Sequence, residues 1–170
     1  MIKIIFVLIL PLILCACSVQ EKANPQILIE RIERADENFV FEKSFYEDES
    51  YISFAKHNKT ELVFKFETDE NENVKKINLA CLNARKVNDF INLACTVTTA
   101  YSPEDDSLQM INELFGKQKL SNECLYYETQ WHSYSAVLSE KGLYFSVSSK
   151  KLMPESEVEF SLKPNDIVEY

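Results

Sequence analysis

The sequence predicts an α+β domain: an antiparallel sheet of about seven strands in two groups, a helical pair between the groups packing on one face, and an N-terminal helix. Three observations lead there. Apolar residues recur with period two through residues 39–82 and again through 124–149, the spacing of strands with one buried face. At 25–37 and 86–115 the period lengthens to that of a helix. Strand runs and helix runs are also segregated rather than alternating, which favours an antiparallel sheet over a parallel one.

The first helix opens at Asn24-Pro25, with Asn as cap and Pro in the first turn. Leu28, Ile32, Ala35 and Phe39 then lie on one helical face, and Glu30 and Arg34 form an i,i+4 pair in the favourable order. From 39 to 46, Phe39, Phe41, Lys43 and Phe45 alternate with Val40, Glu42, Ser44 and Tyr46. A polar turn at 47–50 leads to a second strand at 51–57, and a turn at 58–60 to a third at 61–67. The third turns Leu62, Phe64 and Phe66 inward. A fourth, at 74–82, places Ile77, Leu79 and Cys81 on one face. Short polar connections make these four a meander.

A wide stripe of Val87, Phe90, Ile91, Ala94, Val97, Thr98 and Tyr101 predicts a helix over 86–101. The next helix is expected to be capped by Ser102, with Pro103 first and Glu104, Asp105 and Asp106 complementing its positive end. Leu108, Ile111, Leu114 and Phe115 supply its apolar face, and Gly116 ends it. After a polar loop at 117–123 come strands at 124–131, 134–138 and 143–149. The last two flank Ser139-Glu140-Lys141-Gly142, a hairpin turn. Val158, Phe160 and Leu162 read as one more short strand.

Residues 1–17 have a different character. Lys3 is a short basic start, and residues 4–14 are an apolar run broken only by Pro11. That run is too short to span a bilayer, which takes about 20 residues. It has the length of a signal-peptide core. Leu14-Cys15-Ala16-Cys17-Ser18 follows, with an aliphatic residue three before Cys17 and a small one just before it. This stretch resembles the lipobox of bacterial lipoproteins, and the resemblance covers residues 1–18 only. It implies cleavage before Cys17, a thioether-linked diacylglycerol on the Cys17 thiol, and three acyl chains in all. At about 0.8 kcal/mol per buried CH₂, that is a durable anchor in the lipid bilayer. Ser18, where an Asp would signal inner-membrane retention, implies the outer membrane of a cell envelope. Cys15 fits less well, because the bulky Leu14 directly precedes it. A non-lipidated secretory signal and a terminal anchor helix are the alternatives. Residues 17–24 are then a lipidated tether, and 25–170 a single domain.

Removing residues 1–16 removes one cation, Lys3, so the mature chain carries 18 − 1 = 17 Lys+Arg against 27 Asp+Glu, a net charge of −10. Such a field opposes nucleic-acid binding and favours a basic protein partner, although solubility explains it more simply. Only two glycines argue against nucleotide-cradling loops. The thiols of Cys81, Cys95 and Cys124 remain beside Cys17. A Cys81–Cys95 bridge with Cys124 left over is expected, closing a loop of about 15 residues worth about 3 kcal/mol in the chain-entropy model. Two buried free thiols are the alternative. No Cys/His spacing suits zinc, so no metal or cofactor is expected.

His57 and His132 stand at strand ends without a catalytic motif and are expected at the surface or an edge. The acidic groups 47–49, 69–70 and 104–106 lack calcium-loop spacing and read as solvated turns. Tyr126, Trp131, Tyr134 and Tyr144 are the best remaining feature. Amphipathic aromatics among Ser and Glu on a sheet are what a protein-binding surface uses, and equally what a sheet uses to cover itself. The expected function is a non-enzymatic, membrane-anchored protein-binding module, of immunity or exclusion type. An accessory subunit of an envelope assembly or secretion complex and a small periplasmic hydrolase are the alternatives.

Overall fold

A computed structural model describes residues 23–48, 50–81, 87–116 and 121–153. The leader, Cys17 and the strand expected near 158–162 lie outside the described residues. The order is α1 (Pro25–Ala35), β1 (Phe39–Glu47), β2 (Ser50–His57), β3 (Thr60–Thr68), β4 (Val74–Cys81), α2 (Val87–Tyr101), α3 (Ser107–Phe115), β5 (Ser121–Glu128), β6 (His132–Ser139) and β7 (Gly142–Ser149). The strands form one seven-stranded sheet in the order β1-β2-β3-β4-β7-β6-β5, antiparallel throughout. Two meanders are thus joined where β7 pairs with β4, Ile77 opposite Val147 and Leu79 opposite Phe145. The α+β class, the two strand groups and the helical pair between them are as the periodicity predicts.

The helices cover one face. Leu62, Phe64 and Phe66 of β3, Ile77, Leu79 and Cys81 of β4, and Phe145 and Val147 of β7 are all at most 1% exposed there. They pack into one core with Leu28 and Ile32 of α1, Phe90, Ala94 and Val97 of α2, and Met110 and Leu114 of α3. The Phe64 and Phe66 rings stack with centroids 5.8 Å apart, and Phe41 leans on Phe64 at 5.0 Å. Burying side chains of this size stabilises by about 1.5–3 kcal/mol each, offset by the entropy of ordering the chain.

Three local readings change. α1 ends at Ala35, because Asp36 takes an extended conformation (φ −149°, ψ 109°) as the C-cap. In β1 the register shifts between Phe41 and Lys43, so the alternation breaks and Phe45 turns to the face opposite the helices. α3 is capped by Asp106, not Ser102. The Asp106 carboxylate accepts from the Leu108 and Gln109 amides, both at 3.0 Å, while residues 103–105 form a separate turn. Elsewhere the turn chemistry is legible. Asn58 (φ 46°) and Lys59 (φ 69°) form the two-residue β2–β3 connection, with the paired positive φ values of a type I′ hairpin.

Ala23, the first residue described and part of the expected tether, meets the sheet at one end. The Val74 amide donates to the Ala23 carbonyl at 3.0 Å, and the Tyr101 hydroxyl donates to the Val74 carbonyl at 3.0 Å. The β1–β2, β3–β4 and β5–β6 connections, the α2–α3 turn and the last residue of β7 all lie at this end, by strand register and helix direction. We call it the tether end.

Candidate functional site

The densest polar cluster sits at the tether end. Asp105, in the α2–α3 turn, accepts three hydrogen bonds at Oδ2: from His132 Nδ1 at 2.8 Å, from the Tyr134 hydroxyl at 2.6 Å and from the Thr129 hydroxyl at 3.0 Å. Donation through Nδ1 leaves His132 Nε2 as the buried atom without a hydrogen-bond partner, 3.7 Å from Glu104 Oε1. Ser102 Oγ lies 2.8 Å from the Tyr134 hydroxyl and 3.0 Å from the Thr98 carbonyl, so its single proton serves one or the other. Burial, reinforced by the Asp105 carboxylate, pushes the Tyr134 hydroxyl far above the usual phenol range, so it stays a donor. Burial does the same to Tyr101 beside it.

An Asp, a His and a Ser meet here, but not as a nucleophile and its base. The Ser102 hydroxyl engages Tyr134 and the Thr98 carbonyl rather than the imidazole, and Ser102 and His132 are both 0% exposed. What the cluster does is mechanical: it ties the α2–α3 turn to the start of β6. The other histidine makes a similar clamp. His57 Nε2 lies 2.8 Å from Asp36 Oδ2, joining the end of β2 to the C-cap of α1. The expectation of surface histidines is therefore corrected. Each ring lies under a helix end because an acid just beyond that helix reaches down to it.

The aromatic candidates separate. Tyr134 is 0% exposed on the helix-covered side of β6 and cannot meet a partner from there. Tyr144, on the opposite face of β7, is also buried. Tyr126 and Trp131 remain, 46% and 47% exposed. Tyr126 lies on the face away from the helices, on β5, the last strand of the sheet. Cys124 and Glu128 share that side and are exposed, whereas Ser133, Ser135 and Ser146 further in are buried. Trp131 is elsewhere, in the β5–β6 turn. Thr129 Oγ1 accepts from the Trp131 and His132 amides while donating to Asp105, and the Trp131 carbonyl accepts from the Lys150 amide at 2.9 Å. Nothing in local periodicity separates Tyr126 from Tyr134; only the pairing register does.

Cys81, Cys95 and Cys124 are not joined in a disulfide, so the structure does not contain the expected Cys81–Cys95 bridge. Cys81 points into the core from β4. Cys95 stands one residue past Ala94, about 100° round the helix from the sheet-facing stripe. It lines an open hollow of about 310 Å³ with Ala35, Asn92, Thr96 and Thr99. The Thr96 and Thr99 hydroxyls donate to carbonyls one turn back, which leaves the hollow little chemistry.

Comparison with protein-family models, with curated proteins and with solved structures finds no match to this chain. Its chemistry is therefore read from its own residues. Three acids of the acidic groups are structural. Asp69 takes the Asn71 and Asn73 amides at 2.9 and 2.8 Å and holds the β3–β4 turn, as Asp105 holds β6 and Asp106 caps α3. Among the described residues no group of His, Cys, Asp and Glu is placed to hold a metal ion, and no helix is long and apolar enough to cross a membrane.

Proposed function

We propose that this chain is a lipid-anchored envelope protein that captures a protein partner on the β5 side of its sheet. The anchor is Cys17, on the strength of the lipobox resemblance. The observation that carries the binding surface is Tyr126, a half-exposed tyrosine on the terminal strand of the sheet and on its helix-free face. Tyrosine is the residue type that concentrates binding energy, because it adds large area at little entropic cost. Both terminal strands carry a register shift and exposed charges, Glu42 and Lys43 on β1 and Glu123 and Glu128 on β5, so it is Tyr126 and not the edge ladder that favours β5. The acidic chain selects for a basic partner, which suits an immunity or exclusion factor that meets an incoming protein at the membrane.

Pull-down from detergent-solubilised envelope with the full-length lipidated chain tests this. Tyr126→Ala should lower recovery of the partner about ten-fold, the size of a modest hot spot, at unchanged melting temperature. Equal capture by the folded variant would refute the surface.

A further inference from the structure

The described residues expose six large apolar side chains, and four of them surround the tether end. Ile27 (37% exposed) is in the first turn of α1, Tyr46 (63%) near the end of β1, Leu108 (69%) in the first turn of α3, and Trp131 (47%) in the β5–β6 turn. Val40 lies at the opposite end and Tyr126 on the sheet face. The Trp131 backbone is held by Thr129 on one side and Lys150 on the other. Tyr46 stands on Tyr51, ring centroids 4.8 Å apart. A braced tryptophan, a tyrosine and two aliphatic side chains around one end are unusual for a surface meant only for water, and Trp and Tyr are the side chains that settle at a membrane–water interface.

The tether points the same way. Ala23 is fixed at this end by its bond to Val74, and five residues separate it from Cys17, a span of 23 − 17 = 6 residue steps. At about 3.3–3.6 Å per residue, they reach about 20 Å at most. An anchor on Cys17 therefore holds this end, and not the β2–β3 end, against the bilayer. We propose that the tether end is a membrane-contacting surface, with Trp131, Tyr46, Leu108 and Ile27 seated among the lipid headgroups. This rests on lipidation of Cys17. The same end carries exposed Asp48, Glu70, Glu72 and Asp106, which an anionic surface repels. The lipid it fits is zwitterionic. In that pose Tyr126, on the sheet face, stays in water and available to a partner.

Trp131 is the single tryptophan of the chain, so its fluorescence reports on this surface alone. The full-length acylated protein is reconstituted in phosphatidylcholine vesicles, some containing headgroup-spin-labelled lipid, and intact mass records the acyl chains. Trp131 emission should fall by about half with the labelled lipid, as expected for a ring at headgroup depth. A second protein, Trp131→Phe with Tyr126→Trp, moves the reporter to the sheet face and should be left unquenched. Replacing part of the phosphatidylcholine by phosphatidylglycerol should weaken the quenching of Trp131. Unquenched Trp131 in a protein that carries its acyl chains overturns the membrane pose and leaves the anchor intact, as does equal quenching at both positions. A mass without acyl chains overturns the anchor and the pose together.

Discussion

At the scale of single residues, the chain spends two acids on the same task. Asp105 gathers His132, Tyr134 and Thr129, and Asp36 gathers His57 and Asn38. Neither pairing is local. His57 is 21 residues from Asp36 and His132 is 27 from Asp105. β1 and the rest of β2 intervene in the first case, and α3 and β5 in the second, so periodicity carries no trace of them. Asp36 lends itself to titration. Burial alone would raise its pKa, but hydrogen bonds from the Asn38 backbone and side chain, and then from His57, outweigh it and hold the carboxyl below its ordinary value of 3.8. A group with a depressed folded-state pKa contributes stability that is present above its unfolded pKa and is lost as pH falls through the folded value. The melting-temperature gap between the native chain and Asp36→Asn should therefore narrow as pH falls below about 4 and the native carboxyl protonates. A gap unchanged at pH 3 would show that the Asp36 charge contributes nothing to the clamp.

At the scale of elements, periodicity predicted strands and helices well wherever one face alone is buried, as in β3 and α2. It failed where one residue type serves two purposes. Ser102-Pro103 has the composition of a helix start, and a cap is its commonest use. Ser102 is instead drawn down to Tyr134 and Thr98, and α3 begins four residues later on Asp106. Sequence could not choose between two capping residues four positions apart, because that choice depends on where Tyr134 lies in the core. The break in β1 was equally hidden, since Phe39, Phe41 and Phe45 keep one parity in the sequence and only the register shift puts Phe45 on the other face. The two caps make opposite predictions for one helix. Asp106→Ala should cost about 1 kcal/mol, about 3–4 °C in melting temperature, and speed hydrogen exchange at the amides of the first turn of α3. Ser102→Ala should leave those amides unchanged, because its hydroxyl meets none of them. Fraying of α3 in the Ser102 variant, with none in the Asp106 variant, would restore the cap that the sequence suggested.

At the scale of the whole molecule, the sheet is two meanders closed by one ladder. β4 belongs to the first half of the chain and β7 is the last strand described, so the core is complete only when the late strand reaches the early one. β4 and β7 are each paired on both sides, and their helix-facing residues Ile77, Leu79, Phe145 and Val147 are at most 1% exposed. β1 and β5 each have one described neighbour. Opening an edge strand breaks one ladder and exposes little core, whereas opening β4 or β7 breaks two and floods the interior. Native-state hydrogen exchange should therefore grade the sheet. Amides of β4 and β7 should exchange only through global unfolding, and those of β1 and β5 through local opening at lower free energy. The functional reading adds a second condition. A partner seated on the Tyr126 side of β5 should slow exchange in β5 towards the β7 rate while leaving β1 unchanged, because binding energy adds directly to the cost of opening the strand it covers. Protection that rises equally in both edge strands would mean that the partner stiffens the domain as a whole, and would remove the assignment of β5 as the binding edge. Slow exchange in β5 before any partner is added would mean that this edge is already covered in the isolated protein, and Tyr126 would then have to act through its ring alone.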